Sequence, residues 1–138
     1  MILGVGIDLV DVEAFREQVQ RPGTSFVQGM FSARELRDVR ERGAGDRALR
    51  LAARFAAKEA FIKAWSSAIF GQEPVLQAVD WQEIEVVHDA WGRPALKLHG
   101  EVERHVTQLG DVTTHVSLTH DGPLAGAYVV LEAPHLAG

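Results

Sequence analysis

The sequence predicts an α+β domain in which an antiparallel sheet packs on one long central helix. Three features carry that expectation. An apolar, β-branched run opens the chain, a long stretch of helical periodicity fills its middle, and two pairs of strand-like segments follow, each joined by a turn rich in Gly or Pro. With 138 residues, 46% of them hydrophobic, the chain has the size of one domain over 1–138, with a frayed tail expected over 134–138.

Ile2 to Val10 is apolar and rich in β-branched residues, and reads as a buried strand with Asp8 near its end. Asp11 is placed to cap a helix from Val12 to Gln20, which stops at Arg21-Pro22-Gly23. A shorter helix is expected from Thr24 to Met30. Ser32 and Glu35 have capping-box spacing, so a third helix begins there and ends near Gly43. The long helix runs from about Asp46 to Ile69 and stops at Gly71. Beyond it, 81–89 and 93–99 read as a hairpin around a turn at Trp91 and Gly92, Glu101 to Leu109 as a helix, and 112–120 with 124–133 as a second hairpin around Asp121-Gly122-Pro123.

On a wheel of about 100° per residue the long helix resolves into four strips. Ala53, Ala57, Ala60, Ala64 and Ala68 form one narrow stripe, and Leu51, Phe55, Ile62 and Ile69 lie opposite. A helix apolar on two sides is expected to lie between layers or against another subunit. Arg47, Arg50, Arg54 and Lys58 make one flank; Glu59 and Lys63, four apart, lie on the other. That pair has the spacing of an ordinary stabilising helix ion pair. It also stands between two buried stripes, where charge is partly desolvated unless a ligand, a metal or a cleft solvates it. Asp8 is a second carboxylate in apolar surroundings, readable as a strand-end residue or as a partner of Glu59. Two carboxylates without a thiolate suit a hard cation such as Mg²⁺, which completes its octahedron with water and substrate phosphate.

Several familiar motifs are absent. Gly4-Val5-Gly6 lies inside the strand, and the third glycine of a dinucleotide fingerprint would fall at Leu9. There is no Walker A loop, no HExxH and no G-x-S-x-G elbow. Strand alternation separates Ser117 from His120, which removes a simple hydrolytic dyad, and His120, beside a turn, is better placed than His115 to meet a ligand. The absence of cysteine excludes disulfides and thiolate metal sites, and no stretch is long enough to span a bilayer, so a soluble, cytoplasmic protein is expected. The formal charge is −5, yet residues 34–63 hold nine Lys and Arg against five acids. Nucleic acid is not an expected partner; a phosphate-bearing ligand or an acidic protein is, if that segment is not simply a salt-bridged helix surface.

Taken together, the stretches GVGIDLVDVE (4–13), FSARE (31–35), RFAAKEAFIKA (54–64), GRP (92–94) and HVSLTHDGPLAGAYVVLE (115–132) resemble the holo-acyl-carrier-protein synthase family, the small trimeric type of 4′-phosphopantetheinyl transferase. The resemblance implies that coenzyme A donates its phosphopantetheine arm to a serine of an apo acyl carrier protein, releasing adenosine 3′,5′-bisphosphate. It implies that Asp8 and Glu59 hold Mg²⁺ against the pyrophosphate and that Lys63 stabilises charge on a phosphate oxygen. The serine proton goes either to Glu59 or to a metal-bound water. Arg54 and His120 are implied at the 3′-phosphate, Gly92 and Pro94 at the adenine, and a homotrimer with sites between subunits is expected. The first helix carries only Arg16 and Arg21 among several acids, unlike the basic docking helix of other members, so Arg47 and Arg50 are the candidates for carrier docking. Two competing readings are a hot-dog-type acyl-CoA thioesterase or dehydratase, which needs one long continuous sheet, and a non-catalytic carrier-binding module, which needs no metal.

Overall fold

The structure, a computed structural model, describes residues 1–43 and 45–134; the expected frayed tail lies, beyond Pro134, outside the described residues. Its elements are β1 (Ile2–Asp11), α1 (Val12–Gln20), α2 (Phe26–Met30), α3 (Ala33–Glu41), α4 (Arg47–Ala68), β2 (Ile84–His88), β3 (Pro94–Leu98), α5 (Gly100–Val106), β4 (Thr113–Asp121) and β5 (Leu124–Glu132). Short 3₁₀ turns precede β2 and follow α5. The caps at Asp11 and Ser32 are those the sequence signals, and Asp46, read there as the start of the long helix, proves to be its cap. Asp11 accepts from Ala14 N–H, Asp46 from Ala48 and Leu49 N–H, and Ser32 with Glu35 closes a full capping box. The second helix starts at Phe26 rather than Thr24, because the Thr24 hydroxyl accepts the Phe26 N–H and so lies outside the first turn.

The strands form two antiparallel sheets, a three-stranded one in the order β1-β5-β4 and the β2-β3 pair. The long continuous sheet of a hot-dog fold is absent from the described residues. β1 is recruited to the C-terminal hairpin across the whole chain, Asp8 standing opposite Ala127 and Val10 opposite Ala125.

The three-stranded sheet lies on α4, and its closeness explains the two glycines of β1. A Cβ added at Gly4 would stand 2.0 Å from the Ala64 carbonyl oxygen, and one at Gly6 1.9 Å from that of Ala60. Gly4 and Gly6 thus serve contact between backbones, with Ala57, Ala60 and Ala64 fully buried beneath them. The other side of α4 is covered by the chain itself: Leu51 is buried, and Phe55 closes an aromatic cluster with Phe15 of α1 and Phe26 of α2 at centroid distances of 5.5 and 5.8 Å. The alanine face of α4 and the Leu51–Phe55 part of the opposite face are therefore covered within the chain, while Ile62 and Ile69 are only half-buried.

The cationic flank is also not the surface it resembles. Arg54 and Lys58 are buried, Arg54 against Asp38 at 2.6 Å and Lys58 against Glu35 at 2.7 Å. Lys58 Nζ also donates to the Trp81 and Ile84 carbonyls, while Glu35 accepts the N–H groups of Ser32 and Val86. This fully bonded network ties α3, α4 and β2 together, and burial pulls the Lys58 pKa down against the pull of Glu35. What remains at the surface of this flank is Arg47 and, more shielded, Arg50.

Candidate active site

Asp8 leaves β1 on the face turned toward α4, because residues 4, 6, 8 and 10 alternate inward with the pleat. Its side chain is 15% exposed. Glu59 lies on the strip of α4 that faces the same space, and the two carboxylates line one cleft of about 310 Å³ with Asp11, Phe15, Gln18 and Phe55. Lys63, one turn after Glu59, does not fold back on it: Nζ donates to Asp8 Oδ1 at 3.1 Å and to the Ile7 carbonyl at 3.0 Å. The ordinary intrahelical ion pair is not formed. Lys63 clamps helix to strand, with over half of its side chain open to solvent.

Electrostatics mark the site as short of positive charge. Burial raises the Glu59 pKa, the negative charge of Asp8 raises it further, and Lys63 only partly opposes them. Two repelling carboxylates in one cleft, without a thiolate or an imidazole beside them, form a donor set for a hard cation. Among the described residues no group of three or more His, Cys, Asp or Glu converges on a point. A cation here would take two protein carboxylates and find its other oxygens on water and substrate, as Mg²⁺ does.

The remaining candidates lie elsewhere in the chain. Arg54 is about 140° from Glu59 around the helix and faces α3 and β2, not the cleft. Its guanidinium holds Asp38, His88 Nδ1 at 3.2 Å and the Arg50 carbonyl at 3.3 Å. His88 is pushed down to about 4, first by burial and then by the charges of Arg54 and Arg42, so at neutral pH it receives the Arg54 N–H as a neutral ring. Gly92 and Pro94 belong to the tip of the β2-β3 hairpin. Asp89 fixes that tip by accepting the N–H groups of Trp91 and Arg93, each at 2.9 Å, and Gly92 turns there with φ 83°. His120 shares the inward face with Asp8, since it pairs with Ala125, which pairs with Val10. Two strands over and two residues along, it lies roughly 12 Å from Asp8.

The structure therefore brings Asp8, Glu59 and Lys63 together and leaves Arg54, His120, Gly92 and Pro94 apart from them in a single chain. The α1 wall of the cleft, Phe15 and Gln18, is not among the sequence candidates; the signal available for it is the i, i+3, i+7 stripe Val12, Phe15, Val19. A second unforeseen feature is the outer face of the three-stranded sheet. Val5, Ile7 and Leu9 alternate with the inward residues of β1, and Ile7 and Leu9, which flank Asp8, are 58% and 64% exposed beside the half-open Tyr128. The uninterrupted apolar run of β1 is the sequence signature of a strand covered on both faces.

Comparison with known proteins finds relatives over nearly the whole chain. Holo-[acyl-carrier-protein] synthase of Mycobacterium ulcerans is 52% identical over 131 residues, 95% of this chain and 97% of that protein. The Mycobacterium tuberculosis protein of the same name is 51% identical, covering 96% and 98%. Among solved structures, the Chronobacterium ammoniagenes ACPS-CoA complex superposes with a TM-score of 0.89 at 48% identity, over 95% of this chain and 97% of that one. The sequence profile of the 4′-phosphopantetheinyl transferase superfamily matches residues 4–128, and the chain belongs to that family.

Proposed function

We propose that this chain transfers the 4′-phosphopantetheine arm of coenzyme A to a serine hydroxyl of an apo acyl carrier protein in the cytoplasm, releasing adenosine 3′,5′-bisphosphate. The observation that carries the reading is the meeting of Asp8 and Glu59 on one cleft, with Lys63 bonded to Asp8, in a chain whose relatives are named for this reaction. Asp8 and Glu59 would hold Mg²⁺, which neutralises the pyrophosphate and makes its β-phosphorus more electrophilic. The Lys63 ammonium, with over half of its side chain exposed, stabilises the charge that grows on a phosphate oxygen as the bond to the leaving bisphosphate breaks. Glu59 is the chain's own candidate acceptor for the serine proton, the alternative being a metal-bound water.

The separation of Arg54, Gly92 and Pro94 from the cleft supports a site completed across subunits, with the exposed apolar sheet face beside Asp8 as the buried surface of a homotrimer. Gly92 and Pro94 then take the adenine, and Arg54 and His120 the 3′-phosphate, Arg54 by exchanging Asp38 for the ligand. The carrier docks on the exposed Arg47 at the start of α4 and on Arg50, which also donates to the Gly43 and Gly45 carbonyls. Arg47→Glu should raise the carrier KM and weaken its salt dependence without changing coenzyme A binding.

The direct test is mass spectrometry of an apo carrier protein incubated with enzyme, coenzyme A and Mg²⁺. Wild type should add the phosphopantetheine mass, and Asp8→Asn and Glu59→Gln proteins that remain folded should add none. Full activity in EDTA would refute the metal-assisted mechanism.

A further inference from the structure

A second charged constellation stands where α3, α4 and the β2-β3 hairpin meet, and two guanidiniums converge there on one carboxylate. Arg54 of α4 donates to Asp38 Oδ2 at 2.6 Å. Arg42, the C-cap of α3, donates through Nε to both Asp38 oxygens, at 3.0 and 3.1 Å. Arg42 also reaches the hairpin tip. Its Nη2 donates at 3.1 Å to the Asp89 carbonyl, the oxygen that accepts the Gly92 N–H, and its Nη1 lies 3.9 Å from where a Gly92 Cβ would stand. One side chain thus links the acid that holds Arg54 to the glycine of the turn.

Resting on the transferase reading, in which Gly92 and Pro94 take the adenine and Arg54 the 3′-phosphate, we infer that Arg42 is a second binding residue for that phosphate and that Asp38 holds the phosphate's place in the free protein. Position supports the pairing. The 3′-phosphate hangs from the ribose that carries the adenine, so its anchors must stand beside the adenine contacts, and Arg42 touches both the Gly92 turn and the acid on Arg54. Charge agrees. Two guanidiniums on one carboxylate leave one positive charge over, since the neighbouring His88 is neutral and the Asp89 carboxylate is taken by Arg93 at 2.6 Å. A phosphate monoester, close to a dianion at neutral pH, matches the two guanidiniums and suits their planar forks. Access agrees as well. The Arg54 side chain is 3% exposed, so an anion reaches it only if a neighbour moves; Asp38 and Arg42, 29% and 34% exposed, are the neighbours with room to do so. Exchange of carboxylate for phosphate keeps both guanidiniums paired throughout, and no buried charge is left alone.

Calorimetry with coenzyme A and 3′-dephospho-coenzyme A, which differ only in this phosphate, tests the assignment. Wild type should prefer coenzyme A by about tenfold or more, the scale of a charge-assisted contact. Arg42→Met should bind coenzyme A about tenfold more weakly and the dephospho form within about twofold of wild type. Asp38→Asn, which removes the competing charge and keeps the side-chain shape, should bind coenzyme A more tightly than wild type. Unfolding midpoints check that the variants fold, and if Arg42→Met does not, Arg42→Lys, which keeps the charge and loses the fork, is judged by the same ratio. Equal weakening toward both ligands would mean that Arg42 merely pins the hairpin, and it overturns the inference. So does coenzyme A binding that is unchanged without Arg42, that falls in Asp38→Asn, or that shows no preference for the 3′-phosphate in wild type. A wild type that shows the expected pattern of affinities yet modifies no carrier refutes the transfer reading alone.

Discussion

Gly6→Ala is the sharpest probe of how the fold places the site. A Cβ at residue 6 would stand 1.9 Å from the Ala60 carbonyl oxygen and 2.7 Å from the Ala64 nitrogen, where an ordinary contact begins at 3.4 Å. Neither obstacle is a side chain that can swing aside. β1 must move away from α4 by more than an ångström, which places the change at the upper end of the overpacking range, about 3 kcal/mol. For a chain of this length that is a fall of about 10 °C in Tm, measurable by calorimetry. Asp8 lies two residues along the displaced strand, whereas Glu59 stays on the helix, so their cleft widens by a similar distance. A misplacement of that order in a reacting constellation lowers kcat/KM about 100-fold. Gly29→Ala is the control: nothing lies within 4 Å of its added Cβ, and it sits in α2, where Ala is favoured by roughly 0.5–1 kcal/mol. A Gly6→Ala protein with wild-type Tm and wild-type kcat/KM would refute the backbone-contact argument.

Other outcomes follow from the same geometry. Because the folded-state pKa of Glu59 lies above its unfolded value, the native protein binds the extra proton, and stability falls as pH rises through that window. In the metal-free protein Glu59→Gln should therefore be more stable than wild type at pH 7, with the difference vanishing at pH 4 in urea titrations. Lys58→Met leaves the Glu35 carboxylate buried without its cation and should lower stability by about 3–5 kcal/mol. Adding Glu35→Met should not restore wild-type stability, since the N–H groups of Ser32 and Val86 lose their acceptor. Ile7→Asp places a carboxylate on the exposed apolar face of the sheet, and light scattering should show a monomer in place of a trimer, with transferase activity lost at concentrations where the wild type is assembled.

Local signals in this sequence translate directly into structure, and long-range ones do not. Asp11 and Ser32 announce their helices because a cap is settled within a few residues, and both hairpins are legible from alternation and turn chemistry. The partner of β1 is not, since nothing local in Ile2–Asp11 distinguishes β5 from any other strand. Glu35 shows the same limit: its spacing from Ser32 gives the capping box correctly, yet not that its other oxygen reaches β2 or that Lys58 neutralises it in the core. Lys58 and Arg54 read as a solvated flank because a wheel records direction and not what lies there. In the site, Asp8, Glu59 and Lys63 are legible from charge set among apolar residues. The fork of Lys63 to Asp8 and the Ile7 carbonyl, in place of Glu59, is visible only once strand and helix are packed.

The pairing of β1 with β5 also bears on synthesis. The strand that carries Asp8 leaves the ribosome long before its hydrogen-bonding neighbour β5, so until then Ile2, Val5, Ile7 and Leu9 travel as an unpaired apolar edge. Helices α1 to α4 can assemble meanwhile from nearby sequence, but β1 cannot take its place in the three-stranded sheet before β5 exists. The arrangement acts as a completeness check. A ribosome stalled between Lys63 and Leu124 yields a chain that has Asp8, Glu59 and Lys63 and still lacks the strand that pairs with β1.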